Sequence, residues 1–353
     1  MSSNKSIQLG LCCLNTELRG QKKSIFASRT MTQKKLLQIG EEEGVKEIKK
    51  RAYQNLLDII EMMHWNEKNG IKVFRLSSEI FPHKTNPKIK DYGFDFCKRI
   101  LLKIGKLSKK YNQRLTFHPG QFNIVGAKEE RIFQSTLTEL KHHADIFDLM
   151  GLDQNSVIVI HGGGVYGDKQ KTMERWCKNY NRLPENVKKR LVLENCERMY
   201  SVEDCLEMSK RIGIPVVFDT HHHDCYKKIY PENNMKETEY YIPLILETWK
   251  RKNIKPKFHV SEQGSGRIGH HSDYIEIIPK YLLEIPDKYN TQIDIMIEAK
   301  QKEKSIFKLY EKYPYLNCKC CSNYNLDKIF YPKQEIIYIK KRKKSNIKKI
   351  VKK

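Results

Sequence analysis

Residues 190–219 read RLVLENCERMYSVEDCLEMSKRIGIPVVFD, and this segment contains the unit from which the expected fold is built. An apolar run at 190–195 is followed by an amphipathic segment at 202–212 and by a second apolar run at 215–219. Two short strands joined by a helix form a parallel β/α/β unit. Because neither apolar run alternates strictly with polar residues, we expect strands that are buried on both faces.

The same alternation of short apolar runs and charged, amphipathic segments is repeated along the chain. Strands are predicted at residues 7–13, 71–77, 114–118, 156–161, 190–195, 215–219, 256–261 and 292–298. Helices are predicted at about 43–69, 93–111, 129–150, 168–181, 202–212, 236–252, 273–284 and 301–313. Eight consecutive β/α units predict the α/β fold class and a single (β/α)8 TIM barrel.

Two segments lie outside this pattern. A long loop is predicted at 17–42, after the first strand. The expected domain organisation is a barrel at 1–316, a C-terminal extension at 317–339 and a basic tail at 340–353. The tail, KKRKKSNIKKIVKK, has nine Lys or Arg residues and no acid, so we expect it to be disordered. A nuclear localisation signal, an arm that contacts DNA and a solvated chain end are all open interpretations.

The charge balance gives the first indication of a partner. Lys and Arg number 66 against 42 Asp and Glu, which gives a net charge of +24. An excess of this size favours a polyanionic partner, most simply nucleic acid. Drift of an AT-rich genome toward Lys-rich proteins is the alternative, so charge alone does not identify the partner.

The ten cysteines are scattered, and no CxxC pair is repeated. With no signal peptide recognised, this pattern indicates free thiols in a reducing, intracellular compartment, either nuclear through the basic tail or cytoplasmic. Cys318, Cys320 and Cys321 are a weaker metal-site candidate, since zinc sites usually use two spaced pairs. No apolar run reaches about 18 residues, so no membrane span is expected.

Polar residues of metal-binding types follow nearly every predicted strand. In a TIM barrel the chemistry lies at the C-terminal ends of the strands, so these side chains should meet at one rim. The candidates are His118, His161, Glu194, Asp219, His222, Lys257, His259, His271 and Glu298. Any one such histidine is usually structural, but several carboxylates crowded together repel one another unless cations separate them.

Mixed histidine and carboxylate ligands suit Zn²⁺, Mn²⁺ or Fe²⁺ better than Ca²⁺ or Mg²⁺. The candidates exceed what one ion needs, so two or three ions bridged by carboxylates are expected. Clusters of this kind suit phosphodiester hydrolysis, because one ion activates water while another stabilises the leaving oxygen. Gly162, Gly163 and Gly164 follow His161 directly, and either allow close approach of a substrate backbone or form a simple tight turn.

The chain resembles the UV damage endonuclease family over roughly residues 7–310, and that family is similar in fold and metal cluster to the endonuclease IV group. The matching segments are LGLCCLN (9–15), FRLSSEIFPH (74–83), LTFHPGQF (115–122), IVIHGGG (158–164), LVLEN (191–195), VFDTHHH (217–223), KFHVSEQG (257–264), HHSDYI (270–275) and DIMIEAKQKE (294–303). All of them fall at predicted rim positions.

The resemblance implies a role for each matching residue. His118, His161 and Glu194 would hold one ion. The implied ligands of a central ion are Glu194, Asp219, His259 and Glu298, with Glu194 bridging. A third ion would be held by His222 and His271, with Asp273 as an additional candidate.

Neighbouring histidines leave two of these ligands open. The family spacing selects His222 over His221 and His223, and it selects His271 over His270. Glu194, Lys257 and Glu298 are the implied catalytic residues. Lys257 either carries a carboxyl group on its amine or binds a phosphate.

The resemblance also implies contacts to DNA. Gln121 and Phe122 match a Gln-Tyr pair that wedges into the duplex, with Phe122 keeping the ring and losing the hydroxyl. An ordinary core aromatic is the alternative interpretation of Phe122. Asn15 is expected to touch the lesion or backbone, whereas Leu11 replaces a family Tyr and loses that role. Arg75, like the inward-facing Ser77, would contact a phosphate or pair with a metal-binding carboxylate.

The function implied is DNA repair, by hydrolysis of the phosphodiester 5′ to cyclobutane pyrimidine dimers, 6-4 photoproducts and some abasic sites. Mn²⁺ is the expected metal, with Zn²⁺ and Mg²⁺ as alternatives, and the chain is expected to act as a monomer on damaged duplex DNA. A sugar isomerase or epimerase on a xylose-isomerase-like barrel is the competing enzyme. A barrel that binds DNA without cleaving it is the competing non-enzyme.

Overall fold

The computed structural model describes residues 7–318, which belong to one compact unit. Eight parallel strands form one sheet in the order β3-β2-β1-β8-β7-β6-β5-β4. The strands are β1 Ile7–Cys12, β2 Val73–Arg75, β3 Arg114–Thr116, β4 Ile158–His161, β5 Leu191–Glu194, β6 Val216–Asp219, β7 Lys257–Val260 and β8 Ile293–Ile297. The predicted (β/α)8 TIM barrel is confirmed.

The barrel closes between β3 and β4 through a short seam. Phe117 and Ile158 form a single parallel bridge. The Phe117 N–H donates to Val157 O at 3.0 Å, and the Val159 N–H donates to Phe117 O at 2.9 Å. By contrast, β1 and β8 pair over five residues each. The ring is therefore complete, and its backbone ladder is shortest at this seam.

Helices alternate with the strands and cover the outside of the barrel. Their bounds are α1 Thr16–Gly20, α2 Gln33–Gln38, α3 Glu41–Lys68, α4 Lys98–Tyr111, α5 Glu130–Leu149, α6 Lys169–Asn181, α7 Glu185–Lys188, α8 Val202–Ile212, α9 Thr220–Ile229, α10 Thr238–Lys250, α11 Lys280–Leu283, α12 Ile285–Tyr289 and α13 Glu303–Lys312. Short 3-10 turns occur at Asp95–Cys97, Pro231–Asn233 and Pro314–Leu316.

Helix α8 illustrates how local sequence fixes these boundaries. Ser201 Oγ accepts the Asp204 N–H at 3.1 Å, and Asp204 Oδ2 accepts the Ser201 N–H at 2.8 Å, which forms a capping box. Gly213 ends the helix with a φ of 70°, a left-handed conformation that glycine adopts without strain. Cys205 and Met208 are buried on its inner face. The helix predicted at 202–212 is confirmed.

The helix predicted at 273–284 is wrong. Only α11 and α12 form in this region, and both begin beside a proline, Pro279 or Pro286. Proline holds the preceding residue away from helical backbone and removes an N–H donor. The Ile275 N–H instead donates to Ser305 Oγ at 2.9 Å, so a neighbouring segment satisfies it.

The prediction of a single loop at 17–42 was incomplete, because this segment contains helix α2 and most of α1. Asn15 and Thr32 cap the two helices through side-chain oxygens that accept backbone N–H groups. A further short helix, α9, begins directly after β6 and was not predicted.

None of the helices within residues 7–318 is both long enough and apolar enough to cross a membrane. The basic tail predicted at 340–353 lies outside the described residues. The same applies to nearly all of the extension predicted at 317–339, including Cys320 and Cys321.

Candidate metal centre and its rim

Glu194, at the C-terminal end of β5, lies at the centre of the candidate site. Its Oε2 is 2.9 Å from His118 Nε2 and 3.7 Å from His161 Nε2. Its Oε1 is 2.8 Å from His259 Nδ1. The carboxylate is fully buried. Histidines from two strands, β4 and β7, and from the loop after β3 therefore converge on one carboxylate at the rim where the sequence analysis expected them.

A second group of ligand types lies beside the first and shares His259 with it. Atoms of Asp219, His259 and Glu298 lie within 4.8 Å of one another, and all three residues are buried. His259 Nδ1 is 3.3 Å from Glu298 Oε1. A third group consists of His161, Glu194 and His222. The overlap of the three groups gives a continuous set of nitrogen and oxygen donors.

The Asp219 carboxylate is only partly compensated by the groups around it. Its Oδ2 is buried and has no hydrogen-bond partner among the described residues. Burial raises the pKa of the Asp219 carboxyl to about 7; the nearby His222 acts against this shift, and the Glu194 and Glu298 carboxylates add to it. A buried carboxylate with a free oxygen, surrounded by other donors, fits a divalent cation.

Two of the candidate histidines are in the form that binds metal. Burial lowers the pKa of His161 and of His259 to about 4, so both imidazoles are neutral near pH 7. At His222 burial is outweighed by the Asp219 and Glu194 carboxylates, which raise the pKa to about 9, so a bound metal would have to displace its proton. A neutral imidazole offers a lone pair, whereas an imidazolium has none. The His118 and His161 ring centroids are 5.1 Å apart, and the His161 and His222 centroids are 5.5 Å apart.

The start of helix α9 positions Asp219 and His222 together. Asp219 is the N-cap of α9, and its Oδ1 accepts the His222 N–H at 2.8 Å. Asn195 holds the same turn from β5, since its Oδ1 accepts the Asp219 N–H at 2.9 Å and its Nδ2 donates to Asp219 O at 3.0 Å. Helix capping thus places both candidate ligands.

Among the three consecutive histidines, His222 faces the cluster. His222 Nδ1 is 3.6 Å from Glu194 Oε1 and 3.8 Å from Asp219 Oδ2. His221 instead lies beside the Cys225 thiol, and His223 packs edge-on against the Tyr241 ring. The geometry therefore supports the choice of His222.

His271 lies at the edge of the cluster. Its ring centroid is 6.4 Å from that of His222 and 6.2 Å from that of His221. It belongs to none of the three groups of ligand atoms within 4.8 Å. Its neighbour His270 turns toward Gly266 instead. Between these two histidines, His271 is the one that faces the site, but its role as a ligand stays a prediction.

Arg75 pairs with a cluster carboxylate, which is one of the two alternatives given for it. Its Nη1 donates to Glu298 Oε1 at 2.5 Å. The same guanidinium donates from Nη2 to Cys12 Sγ and from Nε to Cys13 Sγ, the latter at 3.3 Å. The pairing holds the pKa of the Glu298 carboxyl well below its usual range, even though burial acts in the opposite direction. The contacts to both thiols were not predicted.

Lys257 is enclosed inside the barrel, below the cluster. It is fully buried, and its Nζ contacts His259 Nε2. Burial and the charge of Arg75 lower the pKa of the Lys257 amine to about 7. The side chain does not reach the surface, so this geometry does not support a direct grip on a phosphate.

Asn15 and Ser77 are also directed inward. Asn15 is 1% exposed, and its Oδ1 accepts the Leu18 N–H at 2.8 Å as the cap of α1. Ser77 Oγ accepts the Glu79 N–H at 3.1 Å. The expected contact of Asn15 with DNA is not supported by its position, because the chain itself uses this side chain as a helix cap.

Gln121 and Phe122 stand at the rim, on the loop after β3. Phe122 is 82% exposed, so it is not a core aromatic. Both residues line a cavity of about 550 Å³ whose floor includes His161 and His222. The exposed pair and the cluster therefore face the same space.

One part of the lining of this cavity was not predicted from the sequence. It is the loop after β5, at residues 196–199. Its only sequence signal is its place directly after Glu194, since the letters CERM carry no motif. Gly163 and Gly164 also line the cavity, whereas Gly162 is buried, and a Cβ there would lie 2.4 Å from the Tyr200 ring.

The chain is similar to known endonucleases. The model of the UV-endonuclease UvdE family matches residues 7–327. A putative UV-damage endonuclease of Acanthamoeba polyphaga mimivirus is 39% identical over 312 residues, which span 87% of this chain and 91% of the viral protein. A UV DNA damage endonuclease of Bacillus cereus strain B4264 is 35% identical over 287 residues, or 81% of this chain and 89% of the bacterial protein.

Among solved structures, the crystal structure of SacUVDE matches with a TM-score of 0.73 and 32% identity, and the match covers 88% of this chain and 100% of that one. The 3-keto-D-glucoside 4-epimerase YcjR of E. coli, at a TM-score of 0.50 and 10% identity, shares the fold alone. From the family match and the identity to these relatives, the chain belongs to the UV-endonuclease UvdE family.

Proposed function

We propose that this chain is a metal-dependent endonuclease that cuts DNA on the 5′ side of UV photoproducts. The observation that carries the proposal is the placement of the exposed Gln121-Phe122 pair and the buried Glu194 cluster on one cavity. An exposed aromatic beside a duplex can unstack bases, and a cluster of histidines and carboxylates can hold hydrolytic metal ions. Two to three ions per chain, with Mn²⁺ as the expected metal, would use all the donors.

The proposed ligands are His118, His161, Glu194, Asp219, His222, His259 and Glu298, with His271 at the edge. Bound there, divalent ions would supply a lowered pKa for water and compensation of the charge that develops on the phosphate oxygens. Glu194 is the proposed bridging carboxylate, because its two oxygens face different histidines.

Residues around the cluster would orient these ligands. Arg75 fixes the Glu298 carboxylate with a charge-assisted hydrogen bond, and the backbone carbonyl of Asn195 lies 3.1 Å from His222 Nδ1, where it fixes the ring. Lys257 contacts His259, so it would influence the metal through this ligand. The carboxylated form of Lys257 that the family resemblance implies remains part of this proposal. Because a lysine carbamate loses CO2 in acid, the test is ¹³C NMR at neutral to alkaline pH after exchange with ¹³C-bicarbonate, where a carbamate signal should appear and should be absent from Lys257→Ala.

The Gln121-Phe122 pair is proposed to fill the space that a lesion leaves when its bases are extruded. Photoproducts are already poorly stacked, so the cost of extrusion is lower for them than for intact pairs. The net charge of +24 would hold the duplex through its phosphates without selecting a sequence. Cyclobutane dimers, 6-4 photoproducts and abasic sites are the proposed substrates.

A nicking assay on supercoiled plasmid tests the proposal. UV-irradiated plasmid should be nicked in the presence of Mn²⁺, and irradiated plasmid with EDTA should stay closed. Unirradiated plasmid with Mn²⁺ controls for general nuclease activity. Binding of irradiated DNA with no nicking under any divalent metal would instead support a barrel that recognises DNA without cleaving it.

Metal content provides a second, independent readout. The purified protein should contain bound divalent metal, and Asp219→Ala should reduce the metal per chain without loss of folding. A wild-type protein that binds no divalent ion at micromolar concentration would contradict the proposed cluster.

A further inference from the structure

Two exposed apolar side chains line the cavity beside the cluster, and only one of them belongs to the proposed wedge. They are Phe122, in the loop after β3, and Met199, in the loop after β5. Met199 is 39% exposed although methionine is normally a core residue. Of the large exposed apolar side chains within residues 7–318, these two line the cavity.

The loop that carries Met199 is firmly held. The Met199 N–H and the Tyr200 N–H both donate to Cys196 Sγ at 3.2 Å, and the Cys196 N–H donates to Tyr200 O at 2.9 Å. The Tyr200 ring is fully buried against Gly162, where a Cβ would come within 2.4 Å of it. Tyr200 thus anchors the loop and leaves the neighbouring Met199 directed to solvent.

The other side of the loop is braced as well. A Cβ at Gly269, whose φ is +93°, would lie 3.2 Å from Glu197 Cγ, so the loop after β7 packs closely against Glu197. Exposed methionines on mobile loops need no explanation, but this one is fixed between two neighbouring loops. A fixed apolar group at the mouth of a polar site is suited to contact an apolar part of the substrate.

We propose that Met199 is a specificity-determining residue whose thioether packs against the face of an extruded, damaged base. An extruded dimer that enters the cavity would then meet Met199 as well as Phe122. The rings of a cyclobutane dimer are saturated at C5 and C6, so the contact would be apolar packing of the flexible thioether against the cyclobutane ring and the methyl groups. The proposal rests on the proposed function and deepens it, since it names the damaged bases, rather than the sugar-phosphate chain, as what this side chain recognises.

The test compares a lesion that has bases with one that has none. Dissociation constants are measured for the Mn²⁺-loaded protein with two matched duplexes, one carrying a single cyclobutane dimer and one carrying a stable abasic analogue. Both have a non-hydrolysable linkage at the 5′ scissile position. Met199→Ala should reduce the preference for the dimer duplex by about 2- to 10-fold. Affinity for the abasic duplex should not change, because it offers no base to contact.

Matched variants separate contact from a general effect. Met199→Leu keeps most of the apolar volume and should restore most of the preference. Ile268→Ala removes an exposed apolar side chain that is on the same rim but does not line the cavity, so the preference should not change. Metal content and melting temperature should stay at wild-type values in all three variants.

Two results would overturn the inference while the proposed function stands. In one, wild type nicks the dimer duplex and Met199→Ala keeps the full preference for it. In the other, Met199→Ala weakens binding of both duplexes equally, which would mean that the loop only supports the site. If wild type fails to nick a cleavable dimer duplex with any divalent metal, the proposed function itself is wrong.

Discussion

The two ends of the barrel bury charge in different ways. At the N-terminal end of the strands, Asp294 is fully buried and lies between two cations of the chain. Arg114 Nη1 donates to Asp294 Oδ2 at 2.8 Å, and Lys255 Nζ lies 2.6 Å from Asp294 Oδ1. Close by, the buried Arg190 donates to Asp148 Oδ1 at 2.7 Å. Asp294 and Arg190 thus each face an opposite charge that the chain provides.

At the C-terminal end, buried carboxylates outnumber the cations that reach them. Glu194, Asp219 and Glu298 lie among histidines, of which His161 and His259 are neutral near pH 7, and Arg75 pairs with Glu298. One oxygen of Asp219 has no hydrogen bond within the described chain. The same fold therefore pairs its charges internally at one end, which stabilises it, and leaves negative charge for an external cation at the other.

The strongest test of this comparison is Glu194→Gln, which keeps the side-chain shape and removes the charge. Loss of a partner outside the ligand shell typically costs about 10- to 100-fold, so loss of a bridging ligand should reduce nicking by more than about 100-fold. Bound metal should fall as well. In EDTA, the variant should unfold at the same urea concentration as wild type or a higher one. Glu174→Gln, on the exposed side of α6, is the control, and near-normal cleavage by Glu194→Gln would remove the cluster from the account.

Asp294→Ala tests the opposite end. Removal of this carboxylate leaves Arg114 buried without its counterion, which should lower the free energy of unfolding by about 3–5 kcal/mol. Urea denaturation measures the change, with the exposed Asp287→Asn as the control. At temperatures where the variant is folded, nicking and metal content should match wild type. A folded Asp294→Ala protein that has lost its metal would break the distinction between the two ends.

Phe122→Ala addresses recognition at the open end. Loss of base stacking worth roughly 1–3 kcal/mol should reduce cleavage of a photoproduct duplex by about 5- to 150-fold at limiting DNA. Metal content and melting temperature should not change, since the side chain is exposed and is not a ligand. Tyr240→Ala removes another exposed aromatic, from α10, and should leave cleavage intact. Phe122→Tyr should be tolerated, and normal cleavage by Phe122→Ala would exclude the wedge.

The smallest effect is expected from deletion of residues 340–353, which include no proposed ligand. The deletion removes nine positive charges, so non-specific binding should weaken and depend less on salt. The slope of the logarithm of the binding constant against the logarithm of the salt concentration should become shallower by about 0.9 for each phosphate that the tail no longer neutralises. Cleavage at low salt and saturating DNA should be unchanged. A loss of activity under those conditions would assign the tail a direct role at the site.

The strands and most of the cluster could be predicted because they follow a rule of position. Apolar runs fix the strands, and ligand types such as His161 and Glu194 stand at their C-terminal ends. The barrel then brings them together whatever the loops do. Which of the three histidines at 221–223 faces the cluster depends on Asp219 as the cap of helix α9. No helix was predicted there, so the pattern of the strands alone could not make this choice.

What could not be predicted depends on packing between distant segments. The broken helix at 273–284 follows from Pro279 and from the donor that Ser305 satisfies. Asn15 fits the sequence pattern of a DNA contact, but the fold buries it as a cap. Met199 is held at the cavity because the adjacent Tyr200 is buried against Gly162. No periodic pattern in the sequence indicates this contact.

The short seam between β3 and β4 has a mechanical consequence for this site. His118 and His161 follow the two strands that meet there, and both face the same oxygen of Glu194 on β5. An ion held by these side chains would link β3 and β4 at the place where the backbone hydrogen-bond ladder is shortest.

Metal removal would then destabilise the pairing of β3 with β4 and leave the other strand pairs of the barrel unchanged. Amide hydrogen exchange at Phe117 and Val159 would speed up, while the long β1–β8 joint would keep its protection. The ion would thus be part of the wall of the barrel as well as part of its chemistry.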